Sequence, residues 1–146
     1  MKEVTLQALS DVGGALAHPG RLRILALLRE GPIFVCQVRA VLGMAPSTVS
    51  AHLGILRRSG LVNEEKQGRF VQYGLTLEEP LGSVAREVLY LVKDDRKVLQ
   101  DARLLQAVRR IAPASLCREG FDRTAVRVEG EGCRRAASTQ ARIPRR

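Results

Sequence analysis

Residues 33–59 read IFVCQVRAVLGMAPSTVSAHLGILRRS. The spacing predicts a short helix over Phe34 to Leu42, a corner at Gly43-Met44-Ala45, and a second helix from Pro46-Ser47 to about Ser59. Gly43 suits a left-handed helix end. Pro46 is tolerated at a first helical position, where its missing N–H has no partner to lose. Ser47 or Thr48 is the expected cap for the free amides of that helix. Val49, Leu53 and Leu56 recur at i, i+4 and i+7 and predict a buried stripe. Ser47, Thr48, Ser50, Ala51 and Gly54 fall largely off it. Two helices with a tight Gly-containing corner and a small, polar outer face are the pattern of a helix-turn-helix. The second helix of such a unit enters the major groove of DNA. Two ordinary core helices share this pattern, so the neighbouring sequence decides.

After Gly60 the period changes from helical to 2. Leu61-Val62-Asn63-Glu64-Glu65-Lys66 predicts a strand with a polar tip, Gln67-Gly68 a turn, and Arg69 to Leu75 a second strand. A hairpin directly after a helix-turn-helix makes a winged helix. Its tip carries Lys66 and Arg69, which are placed to reach phosphates or the minor groove.

Upstream, residues 3–17 predict a helix, weakened at Gly13-Gly14 and ended by His18-Pro19-Gly20. RLRILALLR, Arg21 to Arg29, predicts a second, with its leucines inward and Arg21, Arg23 and Arg29 in water. Downstream, Glu78-Glu79-Pro80 starts another helix, and Asp94-Asp95 caps a further one with apolar residues from Val98 to Ile111. A chain this short has little left to cover the terminal helices. A second copy covering them across a two-fold axis is the simplest solution, and folding back on their own domain is the alternative. The expected architecture is therefore mainly α with a small β-hairpin, a winged helix-turn-helix dimerising through its terminal helices. Residues 1–112 form the DNA-binding and dimerisation domain. Residues 113–146 form a basic, largely disordered tail carrying Cys117 and Cys133.

Composition points the same way. The chain has 146 residues, enough for one domain; it is 45% hydrophobic but only 3% aromatic and has no Trp, which predicts an aliphatic, helical core. Lys and Arg outnumber Asp and Glu 24 to 15, a net charge of +9. That excess favours a polyanionic partner, nucleic acid before acidic membrane surfaces; a basic surface that is merely solvated is the bland reading. No apolar run is long enough to span a bilayer, and MKEVTLQALSDVGGAL lacks the apolar centre of a secretory signal. Three cysteines, at 36, 117 and 133, are odd in number and widely spaced, which suits a reducing cytoplasm.

LAHPGRLRILALLREG, FVCQVRAVLGMAPSTVSAHLGILRRSGLV and EEKQGRFVQYGLT, in that order, closely resemble the arsenical-resistance repressor family, also called ArsR/SmtB. The resemblance covers about residues 5–92. It implies a small homodimeric winged-helix repressor that leaves its operator DNA when a metal or metalloid binds or, in some members, when thiols are oxidised. No cofactor is implied for DNA binding. The family's recognition-helix pattern, S-x-x-T-V-S-x-H-L-x-x-L, matches from Ala45 to Leu56, with Ala45 in place of the first Ser. The match implies that Ser47, Thr48, Ser50 and His52 face DNA, with Ala51 and Arg58 on the same helix and Lys66 and Arg69 in the wing. His52 also reads as a packing residue. Ala51 and Gly54 stand where many members carry Arg, Gln or Lys, which implies fewer long-side-chain contacts.

Arsenic-responsive members commonly carry C-V-C-D-L where this chain has Phe34-Val35-Cys36-Gln37-Val38, so only one sulfur remains. Soft trivalent arsenic or antimony wants thiolates, ideally three. Cys36, near a helix N-terminus, is expected to have some thiolate character. Its partners are Cys117, which approaches Cys36 of either chain in a dimer, and Cys133. The inferred inducer is arsenite or antimonite. A Cys36–Cys117 pair sensing oxidation or persulfidation is the alternative, and Cys36 as a small buried residue is the bland one. Zinc, cobalt or nickel sensing, which in the family uses His and acid pairs on the terminal helix, is disfavoured because the histidines are His18 and His52. A catalytic triad, a nucleotide loop and hydrolase metal spacing are all missing, so an enzyme is not expected. A winged helix used for protein docking is the competing binding role.

Overall fold

The computed structural model describes residues 3–118 and Val126. Helix α1 (Leu6–Leu16) opens on Thr5, whose hydroxyl accepts the Ala8 N–H, and buries Val12 and Ala15. Helix α2 (Pro19–Leu28) opens on His18, whose Nδ1 accepts the Gly20 N–H at 3.0 Å. It buries Ile24, Leu25, Leu27 and Leu28. Arg21 reaches back and donates to the carbonyls of Ala15 and Gly14 at 2.6 and 2.9 Å. Both carbonyls lie in the last turn of α1, and that of Gly14 also accepts the Ala17 N–H.

The helix-turn-helix consists of α3 (Val35–Leu42) and α4 (Pro46–Arg58). Gly43 ends α3 at φ 65, a left-handed conformation that an L side chain adopts only at a cost. The residue before Pro46 is held extended by the ring, and Ala45 is the N-cap of α4 without a side-chain bond. The expectation of a Ser47 or Thr48 cap is thus corrected. Both lie inside the first turn, where their hydroxyls are left for other partners.

The wing is β2 (Val62–Gln67) and β3 (Phe70–Leu75), paired antiparallel from Val62↔Leu75 to Gln67↔Phe70. That register puts the turn at Gly68-Arg69, one residue later than the sequence spacing predicts, with Gly68 at φ 61. A two-residue strand, β1 (Ile33–Phe34), pairs with β3 through Ile33↔Tyr73 and Phe34↔Gln72. Among the described residues the sheet therefore has three strands, in the order β1-β3-β2. The chain enters α3 directly from this sheet, so wing and supporting helix are one unit. Phe34 meets Phe70 edge-on at 6.0 Å between centroids.

Helix α5 (Leu81–Leu91) buries Ala85 and Leu89 but leaves Tyr90 and Leu91 exposed. Helix α6 (Arg96–Arg109) is capped by Asp95, which accepts from the Lys97 and Val98 amides. It does not wait for a second copy: it packs on α2 and α3 of its own chain, burying Leu105 and Val108. Arg23, expected in water, instead binds the buried Asp101 of α6 with two hydrogen bonds of 2.7 and 2.9 Å. Helix α7 (Pro113–Leu116) follows and lays Leu116 into the core beside α3. The first residues assigned to the tail are thus part of the packed domain. Residues 119–125 and 127–146, including Cys133, lie outside the described residues.

Candidate nucleic-acid interface and thiol pair

The outer face of α4 is small and polar. Ser47, Thr48, Ser50 and Ala51 are all exposed, while Val49, Leu53 and Leu56 are fully buried. Arg58, also exposed, lies back over Gly54, where an added Cβ would stand 3.4 Å from its Nη1. Lys66 and Arg69 are exposed at the tip of the wing. The structure thus brings a short-side-chain helix face and a basic hairpin tip together on consecutive elements.

His52 is not on that face. It is only 9% exposed and packs its ring against His18, with centroids 4.5 Å apart. Its Nδ1 is enclosed without a hydrogen-bond partner among the described residues. Burial, then the nearby His18 and Arg21, push its pKa below the usual histidine value. The expectation that His52 faces DNA is corrected to the packing role. The sequence did carry the signal: His52 follows Val49 by three and precedes Leu56 by four, which places it on the apolar stripe.

Sequence reasoning missed how the wing is braced. Glu64 of β2 accepts from Arg57 of α4 and from the hydroxyl of Tyr73 of β3, each at 2.7 Å. Glu64 and Tyr73 stand directly opposite in the register. One carboxylate therefore links the end of α4 to both strands of the wing. Burial, and then the bond to Glu64, push the Tyr73 phenol up to about 12. A charge on the strand next to an aromatic on its partner is visible in sequence only once the register is known.

Behind the helix-turn-helix, α7 packs on α3 and brings its C-cap, Cys117, into the neighbourhood of Cys36 in the first turn of α3. The Cys36 Sγ lies 3.8 Å from the Pro113 carbonyl oxygen and donates toward it. Cys36 is buried and Cys117 exposed. Burial, then the neighbouring Cys117 thiol, push Cys36 up to about 12, and the backbone donors of the helix start do not offset this. The expected thiolate character of Cys36 is therefore corrected: it is a thiol at neutral pH. Among the described residues no group of three or more His, Cys, Asp or Glu is arranged to hold a metal ion.

Residues 18–64 match the family model described as bacterial regulatory protein, arsR family. The chain is 39% identical over 109 residues to the HTH-type transcriptional regulator CmtR of Mycobacterium tuberculosis, covering 73% of this chain and 92% of that one. It is 41% identical over 66 residues to the arsenical resistance operon repressor of Escherichia coli, covering 44% of this chain and 56% of that one. Among solved structures it is similar to the homodimeric winged helix-turn-helix DNA-binding domain Mb0332 from Mycobacterium bovis. The TM-score there is 0.54 at 28% identity, over 66% of this chain and 94% of that one.

Proposed function

Because the chain belongs to the arsR family of bacterial regulatory proteins, we propose that it is a homodimeric repressor whose operator is released when arsenite or antimonite bridges Cys36 and Cys117. The observation that carries this reading is α7 packed against α3, which sets the Cys36 Sγ 3.8 Å from the Pro113 carbonyl, with Cys117 one helical turn further along the chain. DNA-binding regulation is the family's role. Ser47, Thr48, Ser50, Ala51 and Arg58 on α4, with Lys66 and Arg69 in the wing, are the residues we assign to the operator. Short hydroxyls suit close approach to base edges, and the cations suit phosphates. The homodimer is supported by Val4, Leu6, Leu9, Tyr90 and Leu91, which stay exposed at α1 and α5, and by the homodimeric solved relative.

The state of Cys36 favours a metalloid over a divalent cation. Arsenite arrives as a neutral hydroxide. Each As–OH bond exchanges for an As–S bond, and the thiol proton leaves in the released water. A divalent cation carries no hydroxide to take up the thiol proton, so binding releases that proton to solvent, which costs free energy at a thiol pushed up to about 12. Cys133 is the candidate third sulfur. A bridge would tie α7 to α3, the helix that supports α4, and release follows if the bridged arrangement disfavours the α4 position that DNA requires.

The two-sulfur site also favours a second reading, thiol oxidation. A peroxide would convert the exposed Cys117 to a sulfenic acid with release of water. Attack by the Cys36 sulfur would then form the disulfide and release a second water. Salt-dependent operator binding, challenged in parallel with arsenite, antimonite, cadmium, zinc and peroxide, tests both. Release by arsenite that is lost in Cys36→Ser and Cys117→Ser supports the metalloid reading. If both variants still release operator on adding arsenite, the site is wrong. Release by peroxide alone, with an internal disulfide detected by mass, selects oxidation.

A further inference from the structure

We propose that Arg39 is a phosphate contact that seats the supporting helix of the helix-turn-helix on the DNA backbone. The proposal rests on operator binding by α4 and the wing, and adds a residue outside both. Among the described residues three arginines are half-buried: Arg21, Arg23 and Arg39. Arg21 spends its guanidinium on the carbonyls that end α1. Arg23 spends its own on Asp101. Arg39 has no such partner among the described residues. Its Nε is enclosed without an acceptor, and no carboxylate or carbonyl among the described residues takes its terminal nitrogens.

That arrangement is costly for a structural residue. A buried donor without a partner loses its hydration and gains nothing in return. Packing the stem has already removed much of the side chain's conformational freedom, so an external acceptor meets a largely ordered fork. Phosphate is the acceptor whose charge matches the two terminal nitrogens, which are not enclosed as Nε is.

The position agrees. Arg39 is the one charged residue in α3, VCQVRAVL, whose other side chains are buried except for the half-buried Val35. It lies in the last turn, and its carbonyl accepts the Gly43 N–H at 2.9 Å. The chain then passes through Gly43 into the exposed first turn of α4, where Ser47 and Thr48 stand. In a helix-turn-helix the first helix crosses the backbone while the start of the second reads bases. Arg39 is therefore the cation of the supporting helix, placed beside the reading end of α4, and a two-fold dimer presents it twice.

The test uses the full chain and a labelled mixed-sequence duplex of about three helical turns, since a phosphate contact is independent of sequence. Affinity is measured between about 50 and about 200 mM salt for the wild type, Arg39→Met and Arg39→Lys. Arg39→Met keeps the aliphatic stem. It is expected to bind about tenfold more weakly and to flatten the salt dependence by about one counterion per seated protomer. Its thermal midpoint should match or exceed the wild type, because an unpaired buried donor has gone. Arg39→Lys should keep the salt slope with intermediate affinity. Wild-type affinity and slope in Arg39→Met overturn the proposal. So does a lowered thermal midpoint that accounts for the lost binding, which would make Arg39 structural. A wild type whose affinity ignores salt sinks the operator reading and Arg39 with it, whereas normal wild-type behaviour with an unaffected variant sinks Arg39 alone.

Discussion

Arg23 of α2 grips the Asp101 carboxylate of α6 through Nε and Nη2, at 2.7 and 2.9 Å, with Asp101 only 5% exposed. This pair, with Arg109 donating to the Glu30 carbonyl at 3.0 Å, fastens α6 along its own domain. The grip draws Arg23 further from its neutral form, through the bond to Asp101. Removing one partner leaves the other charge enclosed.

Asp101→Ala should therefore destabilise the protein by about 2–3 kcal/mol, less than the loss from a fully buried pair because Arg23 keeps some water. Chemical denaturation of the variant measures this. Replacing both residues with Leu and Met should restore much of the loss. A double variant as unstable as the single one would show that packing, not the stranded charge, carries the cost.

His52 should make the fold acid-sensitive. Its folded pKa is lowered, so the unfolded chain takes up the proton first as pH falls. The stability held by neutral His52 is full above the unfolded value, about 6.5. It drains as pH drops below that value toward the folded one. The thermal midpoint should fall between about pH 7 and about pH 5.5, and the part contributed by this residue should vanish in His52→Gln. An unchanged acid slope in the variant would assign the effect elsewhere.

Glu64→Gln should lower the Tyr73 phenol from about 12 without returning it to an ordinary value, since burial is the larger cause. Ultraviolet difference titration reads this against the exposed Tyr90. Stability should change by less than about 1 kcal/mol, because Arg57 and Glu64 are 51% and 38% exposed.

The cysteines should differ in reactivity. Cys117 is exposed, whereas Cys36 is buried and held as a thiol. Iodoacetamide near neutral pH should label Cys117 well before Cys36, resolved by peptide mass. Labelling of both at one rate would mean that α7 leaves α3 on the timescale of the reagent.

The helices, the αL corner at Gly43 and the hairpin were legible in the sequence because each is stabilised by residues a few positions apart. Periodicity, caps and turn residues act at that range. Even His52 was legible by spacing from Val49 and Leu56, although the family pattern suggested otherwise. Only the tertiary structure decided the rest. A two-residue strand such as β1 exists only once β3 lies beside it. Asp101 is an ordinary helix-surface acid until α2 brings Arg23 to it. The approach of Cys117 to the neighbourhood of Cys36 depends on α7 laying Leu116 against α3. No local preference encodes these contacts, because they join segments whose separation in the chain carries no periodic signal. They form when the collective burial of the core outweighs the entropy of closing long loops.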